Sequence, residues 1–336
     1  MTTAPSSSLT TQVTKIAAPA HVVRAAFLGR TPVLACADGA VIVANTGEDT
    51  RLSPHGDCAI LCAASDGQTL LTGGDDGKVF ATDAAGKSTL IANENGRWID
   101  ALAMRDDGAL AWSTGKKVSA RDAKGGVKSW TAPSTPRGLA FYPKGYRLGV
   151  AHYNGVSLWF PNTAAGPDFL EWKGSHLDMS FSPDGRFAVT SMQENALHGW
   201  RIADKANMRM TGYPAKTRFL SWSHDGNWLA TSGAEACVIW PFQAKGGPMG
   251  QSPRECGVRN SRVSAVSFHP KALIVALGYE DGWILLCRLQ DGSEILVRAT
   301  PEGTSDAVTA LTWDKEGRRM LFGTDQGAAG LLTLPV

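Results

Sequence analysis

Residues 177–185 read LDMSFSPDG, residues 219–226 read FLSWSHDG, and residues 263–270 read VSAVSFHP. Each stretch places apolar residues at fixed positions and ends in a turn, and the pattern recurs eight times along the chain. The turn positions, spaced 37 to 46 residues apart, are Gly29, Gly67, Gly108, Gly145, Gly185, Gly226, Ala272 and Gly317. A period near forty residues with strand-like composition is typical of propeller blades. The sequence therefore predicts an all-β propeller.

The two ends of the repeat series predict how the ring closes. The last repeat stops after its third strand, whereas residues 11–16 (TQVTKI) form an additional strand before the first repeat. We expect this N-terminal strand to fill the fourth place in the last blade, because that pairing removes an open sheet edge. We favour eight blades. The count would be seven if the weak repeat around residues 98–117 merged with a neighbour.

The periodicity also predicts the domain organisation. It runs from Val22 almost to Val336 without a linker, so residues 11–336 are expected to form a single propeller domain. Residues 1–10 are expected to form a flexible N-terminal tail.

Composition argues against several classes of partner. The formal net charge is +2, from 33 basic and 31 acidic residues, which gives no electrostatic case for nucleic acid or for an anionic membrane. No apolar run reaches the length of a membrane span, and the start lacks the pattern of a signal peptide. The six cysteines contain no CxxC pair. We therefore expect a cytoplasmic protein with free thiols and no cofactor.

The repeats resemble those of the WD40 family over nearly the whole chain. Residues 181–185 (FSPDG) match the end of that family's first strand, and Trp159, Trp200 and Trp240 occupy its third-strand tryptophan position. None of these tryptophans precedes an aspartate, and the chain has no Gly-His dipeptide. The family's Asp-His-Ser-Trp hydrogen-bond network is therefore not expected in its standard form. The nearest resemblance is to divergent bacterial WD40 proteins of unassigned function, which implies partner binding and no particular chemistry.

In a propeller of this type the first strand begins at the top face, so one residue of each first strand is expected at the rim of the central channel. The predicted ring is Val23, Ala59, Asp100, Arg137, Leu177, Arg218, Ser264 and Thr309. With the neighbouring loop residues, acidic groups fall in repeats two and three, and basic groups in repeats four, six and seven. Aromatic residues are interleaved with both. This arrangement suits a polar peptide or protein surface.

The sequence therefore predicts a non-catalytic scaffold that binds a protein or peptide partner on the top face. The predicted partner-binding residues are Asp57, Trp98, Asp100, Arg137, Tyr153, Lys216, Arg218, Arg262, Tyr279 and Met249. Met249 belongs to this set because the long connection of residues 241–256 exceeds the repeat period, and insertions in repeats often carry specificity. The alternative for the whole set is that polar loop tips occur in any propeller.

A zinc site is the first alternative function. His55, Cys58, Cys36 and His21 are contributed by repeats one and two, and imidazole and thiolate are the ligands that zinc prefers. Against it, Cys58 falls at the apolar position of the repeat, where cysteine acts as a small hydrophobic residue. We therefore predict no metal.

An enzyme with its active site at the channel mouth is the second alternative. Asp57, Asp75, Asp76 and Asp100 could approach one another there and perturb each other's titration, as general acids and bases require. Because no nucleophile or metal accompanies them, we predict that the protein is not an enzyme.

Overall fold

The computed structural model describes residues 7–44 and 49–335 of the chain. Within these ranges the chain is all-β apart from one short 3-10 helix, Thr10–Gln12. Its four-stranded antiparallel repeats succeed one another around a central channel, which the first strand of each repeat lines. No helix in the described ranges is long and apolar enough to cross a membrane. The prediction of a WD40-like all-β propeller is confirmed.

The strands are numbered in chain order. Two precede the first repeat: β1 (Ser7–Ser8) and β2 (Val13–Ala17). Repeats 1 to 3 are β3 (Val22–Leu28), β4 (Thr31–Cys36), β5 (Val41–Val43), β6 (Thr50–Leu52); β7 (Ile60–Ser65), β8 (Thr69–Gly74), β9 (Lys78–Asp83), β10 (Ser88–Asn93); and β11 (Ala101–Met104), β12 (Leu110–Thr114), β13 (Lys117–Arg121), β14 (Val127–Thr131). Repeats 4 and 5 are β15 (Gly138–Phe141), β16 (Leu148–Trp159), β17 (Asp168–Phe181), β18 (Phe187–Met192), β19 (Leu197–Arg201) and β20 (Asn207–Met210). Repeats 6 to 8 are β21 (Leu220–Trp222), β22 (Trp228–Thr231), β23 (Cys237–Pro241), β24 (Arg254–Cys256); β25 (Val263–Phe268), β26 (Ile274–Tyr279), β27 (Ile284–Arg288), β28 (Glu294–Arg298); and β29 (Val308–Trp313), β30 (Arg319–Thr324), β31 (Ala328–Thr333), completed by β2.

The blade counts of eight and seven correspond to two ways of counting this ring. Strand β16 turns at Asn154 and Gly155, so it supplies the second and third strands of repeat 4. Strand β17 likewise supplies the last strand of repeat 4 and the first of repeat 5. The pairing of Tyr153 with Ser175 joins the two repeats into one six-stranded sheet. The described strands therefore form eight four-stranded repeats in seven hydrogen-bonded sheets. Residues 98–117, where the sequence suggested a merger, lie within a separate sheet.

One position of the second strand is small in every repeat. In register these residues are Ala35, Gly73, Ser113, Ala151, Ser191, Ser232, Gly278 and Gly323. The first buried residue of the next repeat packs against this position: a Cβ on Gly278 would lie 2.5 Å from Val308, and one on Gly323 2.5 Å from Val22. Neighbouring repeats thus approach too closely for a large side chain at this level.

Strand β2 closes the ring as the sequence predicts. It pairs antiparallel with β31, Val13 opposite Leu332 and Ala17 opposite Ala328. The hydroxyl of Thr309 also donates to the carbonyl of Val22 at 2.7 Å, which joins repeat 8 to repeat 1. Buried residues of both repeats, among them Ile16, Val22 and Leu321, form one hydrophobic cluster.

The expected N-terminal tail is shorter than residues 1–10. Ser7 and Ser8 pair in parallel with Ile295 and Leu296, and so add a short fifth strand to the sheet of repeat 7. The amide of Leu9 donates to the carbonyl of Leu296 at 2.7 Å, which continues this contact. Residues 1–6 lie outside the described part of the chain.

Candidate functional site

The central channel contains a cavity of about 700 Å³, bordered by the first strands of repeats 1 to 6 and of repeat 8. Near its top end most first strands have an extra residue, or bulge, between the first two paired positions. A bulge re-aims side chains locally. The residues at this position, called here the mouth ring, are Val23, Leu61, Asp100, Arg137, Leu177, Arg218, Ser264 and Thr309; seven line the channel cavity, and Ser264 holds the equivalent bulge position in repeat 7.

Repeat 2 contributes Leu61 to the mouth ring, so the prediction of Ala59 is wrong. Ile60 pairs with Gly74 and Cys62 with Gly73, which leaves Leu61 as the bulged residue. The apolar position of this repeat is therefore Ile60, not Cys58. Gly67 follows Ile60 by seven residues, whereas Gly108 follows Ile99 by nine, and this difference shifted the sequence alignment by two residues. Leu61 is 40% exposed and gives the mouth an apolar wall.

Directly below the mouth ring lies a second level, called here the inner ring: Arg24, Cys62, Ala101, Gly138, Asp178, Phe219, Ala265 and Ala310, of which Ala265 is placed by its strand register and the others line the cavity. Two of these eight residues are charged, and Arg24 in repeat 1 and Asp178 in repeat 5 are four repeats apart in the ring. Enclosure by the channel walls lowers the pKa of Arg24 and raises the pKa of Asp178 to about 6, and the two charges partly offset these shifts. Neither residue was predicted from the sequence, although each directly follows a predicted ring residue.

The predicted basic residues lie together at the top face. Arg137 and Arg218 border the channel cavity, and Lys216, Arg218 and Arg262 border a neighbouring cavity of about 720 Å³ between repeats 6, 7 and 8. Arg262 forms an ion pair with Glu280 at 3.0 Å. In the described part of the chain, the side chains of Arg137, Lys216 and Arg218 have no hydrogen-bond or ion-pair partner, and all three are exposed.

The acidic side of the top face is largely engaged by the chain itself. Asp100 accepts a hydrogen bond from the amide of Gly115 at 2.8 Å, and Asp75 accepts one from the amide of Ala59 at 2.9 Å. Asp76 binds His55, as described below, whereas Asp57 is exposed. Three of the four carboxylates, Asp75, Asp76 and Asp100, therefore hold parts of the chain in place. The geometry gives no support to an enzyme active site among them.

Two of the three predicted aromatic contacts are available at the surface. Trp98, in the loop before β11, is 62% exposed, and Tyr153, in the turn of β16, is 54% exposed. Tyr279 is completely buried, so the prediction that it contacts a partner is wrong. Its hydroxyl donates to the carbonyl of Gly257 at 2.5 Å, beneath the loop that leads into repeat 7. A tyrosine beside a polar turn does not reveal in sequence whether its ring points in or out.

Met249 is 54% exposed but lies at the other end of the propeller. The connection that carries it leaves β23 at Pro241, which pairs with Trp228 beside the turn between the first two strands. The amide of Phe242 also donates to the carbonyl of Asn227 in that turn at 2.7 Å. Met249 is therefore on the bottom face, so it belongs to a second surface, apart from the other predicted partner-binding residues.

The proposed zinc ligands do not form a metal centre in the structure. The Nδ1 of His55 lies 3.1 Å from Asp76 and its Nε2 lies 3.0 Å from Thr72, so both ring nitrogens already have partners. Cys36 is buried, and burial raises the pKa of its thiol to about 12, which disfavours the thiolate that a metal needs. His21 borders the cavity between repeats 6, 7 and 8. Across residues 7–44 and 49–335, no group of three or more His, Cys, Asp or Glu residues could hold a metal ion.

His55 instead belongs to a buried network that fixes the top end of repeat 2. Because a carboxylate only accepts hydrogen bonds, Nδ1 donates to Asp76, and the neutral ring leaves Nε2 to accept from the hydroxyl of Thr72. Burial lowers the pKa of His55, in keeping with the neutral form. The edge of Phe80 packs against the imidazole with ring centroids 5.0 Å apart.

Repeat 6 has a different network at the equivalent place. The indole of Trp240 donates to the Tyr213 hydroxyl at 2.7 Å, the Tyr213 hydroxyl donates to Thr231 at 2.7 Å, and Thr231 donates to the carbonyl of Val238 at 2.9 Å. Thr231 and Thr72 occupy the same register position of the second strand. Neither repeat contains all four members of the Asp-His-Ser-Trp network, but each contains three interacting groups.

Comparison with known proteins agrees with the repeat pattern. The family described as "WD domain, G-beta repeat" matches residues 48–81, and the family described as "Anaphase-promoting complex subunit 4 WD40 domain" matches residues 266–334. No curated protein sequence matches the chain.

Solved structures resemble the whole ring. The computationally designed Ika8 protein superposes with a TM-score of 0.76 at 18% sequence identity, over 95% of this chain and 98% of its own. The C-terminal WD40 domain of Sif2 also has a TM-score of 0.76, at 11% identity, over 96% of this chain and 99% of its own. At these identities the likeness concerns the fold alone.

Proposed function

We propose that this WD40-repeat β-propeller is a non-catalytic scaffold whose top face binds a protein or peptide. Propellers of this kind commonly serve as protein-interaction scaffolds, and a fold by itself does not name the partner. The proposal therefore depends on which side chains this chain presents at the top face.

The observation that carries the proposal is a set of exposed, unpartnered groups at one end of the ring. Arg137, Lys216 and Arg218 have no side-chain partner within the described residues, and Trp98 and Tyr153 are more than half exposed. Tryptophan, tyrosine and arginine are the residue types that most often dominate binding energy at interfaces. A folded chain that leaves all of them uncovered on one face has a surface suited to a partner.

The charge distribution predicts the chemistry of that partner. Most top-face carboxylates of repeats 2 and 3 accept hydrogen bonds from the chain, whereas Arg137, Lys216 and Arg218 present unpaired cations. A complementary segment would place acidic side chains over these cations and an apolar or aromatic side chain against Trp98. We therefore expect an acidic polypeptide segment with at least one large apolar residue.

Quantitative affinity capture from the native cell extract tests this proposal. The wild type is compared with an Arg137→Glu, Arg218→Glu double variant, and circular dichroism verifies that both are folded. We expect the charge reversal to abolish capture of the partner, because it turns attraction into repulsion at the channel mouth.

The matched control reverses two exposed cations of the bottom face, Lys144→Glu and Arg318→Glu, which lie in turns between first and second strands. This variant has the same net charge as the top-face variant and should retain the partner. Equal capture by the wild type and both variants would contradict the top-face proposal. Loss of capture in both variants would show a general charge effect and would contradict it as well.

A further inference from the structure

The inner ring contains one cation and one anion on opposite sides of the channel. Arg24 and Asp178 follow the bulged residues Val23 and Leu177 directly, so they occupy the same level in repeats 1 and 5. In a ring of eight repeats these positions face one another. The other six residues at this level are cysteine, alanine, glycine or phenylalanine, so none adds a charge.

The two charges face one another without neutralising one another directly. The charges of Arg24 and Asp178 interact, yet the described residues include no ion pair between them and no hydrogen bond from the Arg24 side chain. Asp178 accepts one hydrogen bond at 2.8 Å from the amide of Met179 through Oδ1, which leaves Oδ2 able to accept another. A guanidinium and a carboxylate oxygen thus both border the cavity with binding capacity unused.

The cavity between them is large enough for a small molecule. At about 700 Å³ it falls in the range of roughly 300–1,000 Å³ that is usual for ligand sites. Leu61 and Leu177 supply apolar walls at the mouth. The mouth ring adds Asp100, Arg137 and Arg218, so the channel groups together carry one net positive charge.

We propose that the channel binds a small dicarboxylate that has a hydrogen-bond donor beside one of its carboxylates, the chemistry of an acidic amino acid or a hydroxy diacid. One carboxylate binds the planar guanidinium of Arg24 in two parallel hydrogen bonds. The adjacent ammonium or hydroxyl donates to Asp178. The second carboxylate lies toward the cations of the mouth ring and compensates the net positive charge. This site shares the cations Arg137 and Arg218 with the polypeptide surface proposed above, but Arg24 and Asp178 carry its assignment, which does not depend on that proposal.

Three four-carbon dicarboxylates test the proposal by isothermal titration calorimetry at constant ionic strength. Succinate lacks the donor, L-malate has a hydroxyl, and L-aspartate has an ammonium, while the carbon skeleton is the same. We expect malate and aspartate to bind the purified protein about tenfold or more tightly than succinate, because only they satisfy Asp178. Failure of all three to bind would overturn the proposal, and so would equal affinity for the three.

Variants distinguish the role of Arg24, which binds a carboxylate, from that of Asp178, which accepts from the donor beside it. Arg24→Met should weaken binding of malate and aspartate by about tenfold or more. Arg24→Lys keeps the positive charge but cannot form two parallel hydrogen bonds, so its affinity should lie between those of Arg24→Met and the wild type. Asp178→Asn should remove the preference for aspartate over succinate, because an ammonium needs an anionic acceptor. Arg318→Met, on the bottom face, should bind as the wild type does. Unchanged binding in folded Arg24→Met, verified by its thermal transition, would overturn the assignment.

Discussion

In repeats 2 and 6, a threonine at the same position of the second strand bonds to an aromatic ring from the preceding loop. In repeat 2 Thr72 meets the His55 imidazole, whose other nitrogen binds Asp76. In repeat 6 Thr231 meets the Tyr213 phenol, which also accepts from Trp240. Only the threonine is common to both. The buried site beside this threonine therefore requires a ring that offers one hydrogen-bond donor and one acceptor, and the ring need not be histidine.

The two rings differ in how they respond to acid. Burial lowers the pKa of His55, whereas burial raises the pKa of Tyr213 well above its ordinary value. Within the physiological range both rings therefore stay neutral, but the imidazole of repeat 2 can gain a proton when the pH falls below the range in which an ordinary histidine titrates. Repeat 5, like repeat 2, contains buried imidazoles. His176 bonds to Thr190, and His198 lies between Trp172 and Trp200.

Removal of the histidine ring from repeat 2 should have the largest effect. His55→Ala should lower the free energy of unfolding by about 3 kcal/mol, because it opens a cavity and leaves Asp76 and Thr72 without a shared partner. Urea denaturation followed by tryptophan fluorescence measures this loss. The exposed His224→Ala is the control and should stay within about 0.5 kcal/mol of the wild type. A similar small change in His55→Ala would show that the network contributes nothing to stability.

Acid should destabilise the histidine repeats selectively. Burial between two indoles lowers the pKa of His198 to about 3. A folded-state pKa below the unfolded value favours folding above about pH 6.5, and this contribution declines as the pH falls. Between pH 7.5 and 5.0 the loss from His198 should be about 2 kcal/mol.

The variant that isolates this contribution is His198→Phe, which keeps an aromatic ring against Trp172 but cannot bind a proton. Its free energy of unfolding should fall about 2 kcal/mol less than that of the wild type between the two pH values. Parallel declines in both proteins would mean that the pKa of His198 is the same in the folded and unfolded states, and would contradict this prediction.

Removal of the phenol hydroxyl from repeat 6 should have a smaller effect than the loss of His55. Tyr213→Phe keeps the ring but leaves the buried Trp240 indole without its acceptor, which should cost about 1–2 kcal/mol. The same measurement applies, with exposed Tyr153→Phe as the matched control. If Tyr213→Phe matched that control, the chain of hydroxyls in repeat 6 would be dispensable.

Removal of the shared threonine hydroxyl should lower the free energy of unfolding least, and by a similar amount in the two repeats. Thr72→Val and Thr231→Val each remove one hydroxyl at constant shape and should each cost about 1 kcal/mol. The two sites lie in separate repeats, so the double variant should be additive within about 0.5 kcal/mol. A large difference between the two single variants would contradict the equivalence of the repeats.

The repeat pattern was sufficient to predict the fold because residues close together in sequence specify the strands and turns of each repeat. Apolar alternation and turn residues predicted the strands, and the strand at residues 11–16 predicted ring closure through β2. The small residue of the second strand, such as Gly278, is also visible in sequence. Its reason became clear only when the structure placed Val308 against it.

The candidate site was less predictable because its residues depend on alignment and on side-chain direction. The shorter segment between Ile60 and the turn at Gly67 shifted repeat 2 by two residues and exchanged Leu61 for Ala59 in the mouth ring. Tyr279 stands beside a polar turn but points inward. The missing Gly-His dipeptide concealed the network of His55, whose partners are distant in sequence. Pairing between distant residues is the information that one sequence does not display.

The β2–β31 ladder has a mechanical consequence. Val13 pairs with Leu332, so the segments that precede β2 and follow β31 leave this ladder at the same edge. Force that pulls these segments apart loads the hydrogen bonds one at a time, as in a zipper, rather than all together in shear. Within repeat 8, β2 is joined to β31 by hydrogen bonds without a connecting turn, whereas the four strands of every other repeat follow one another along the chain. Once the pairing of β1 with β28 has separated, tension between the two segments should therefore open the ring at this seam.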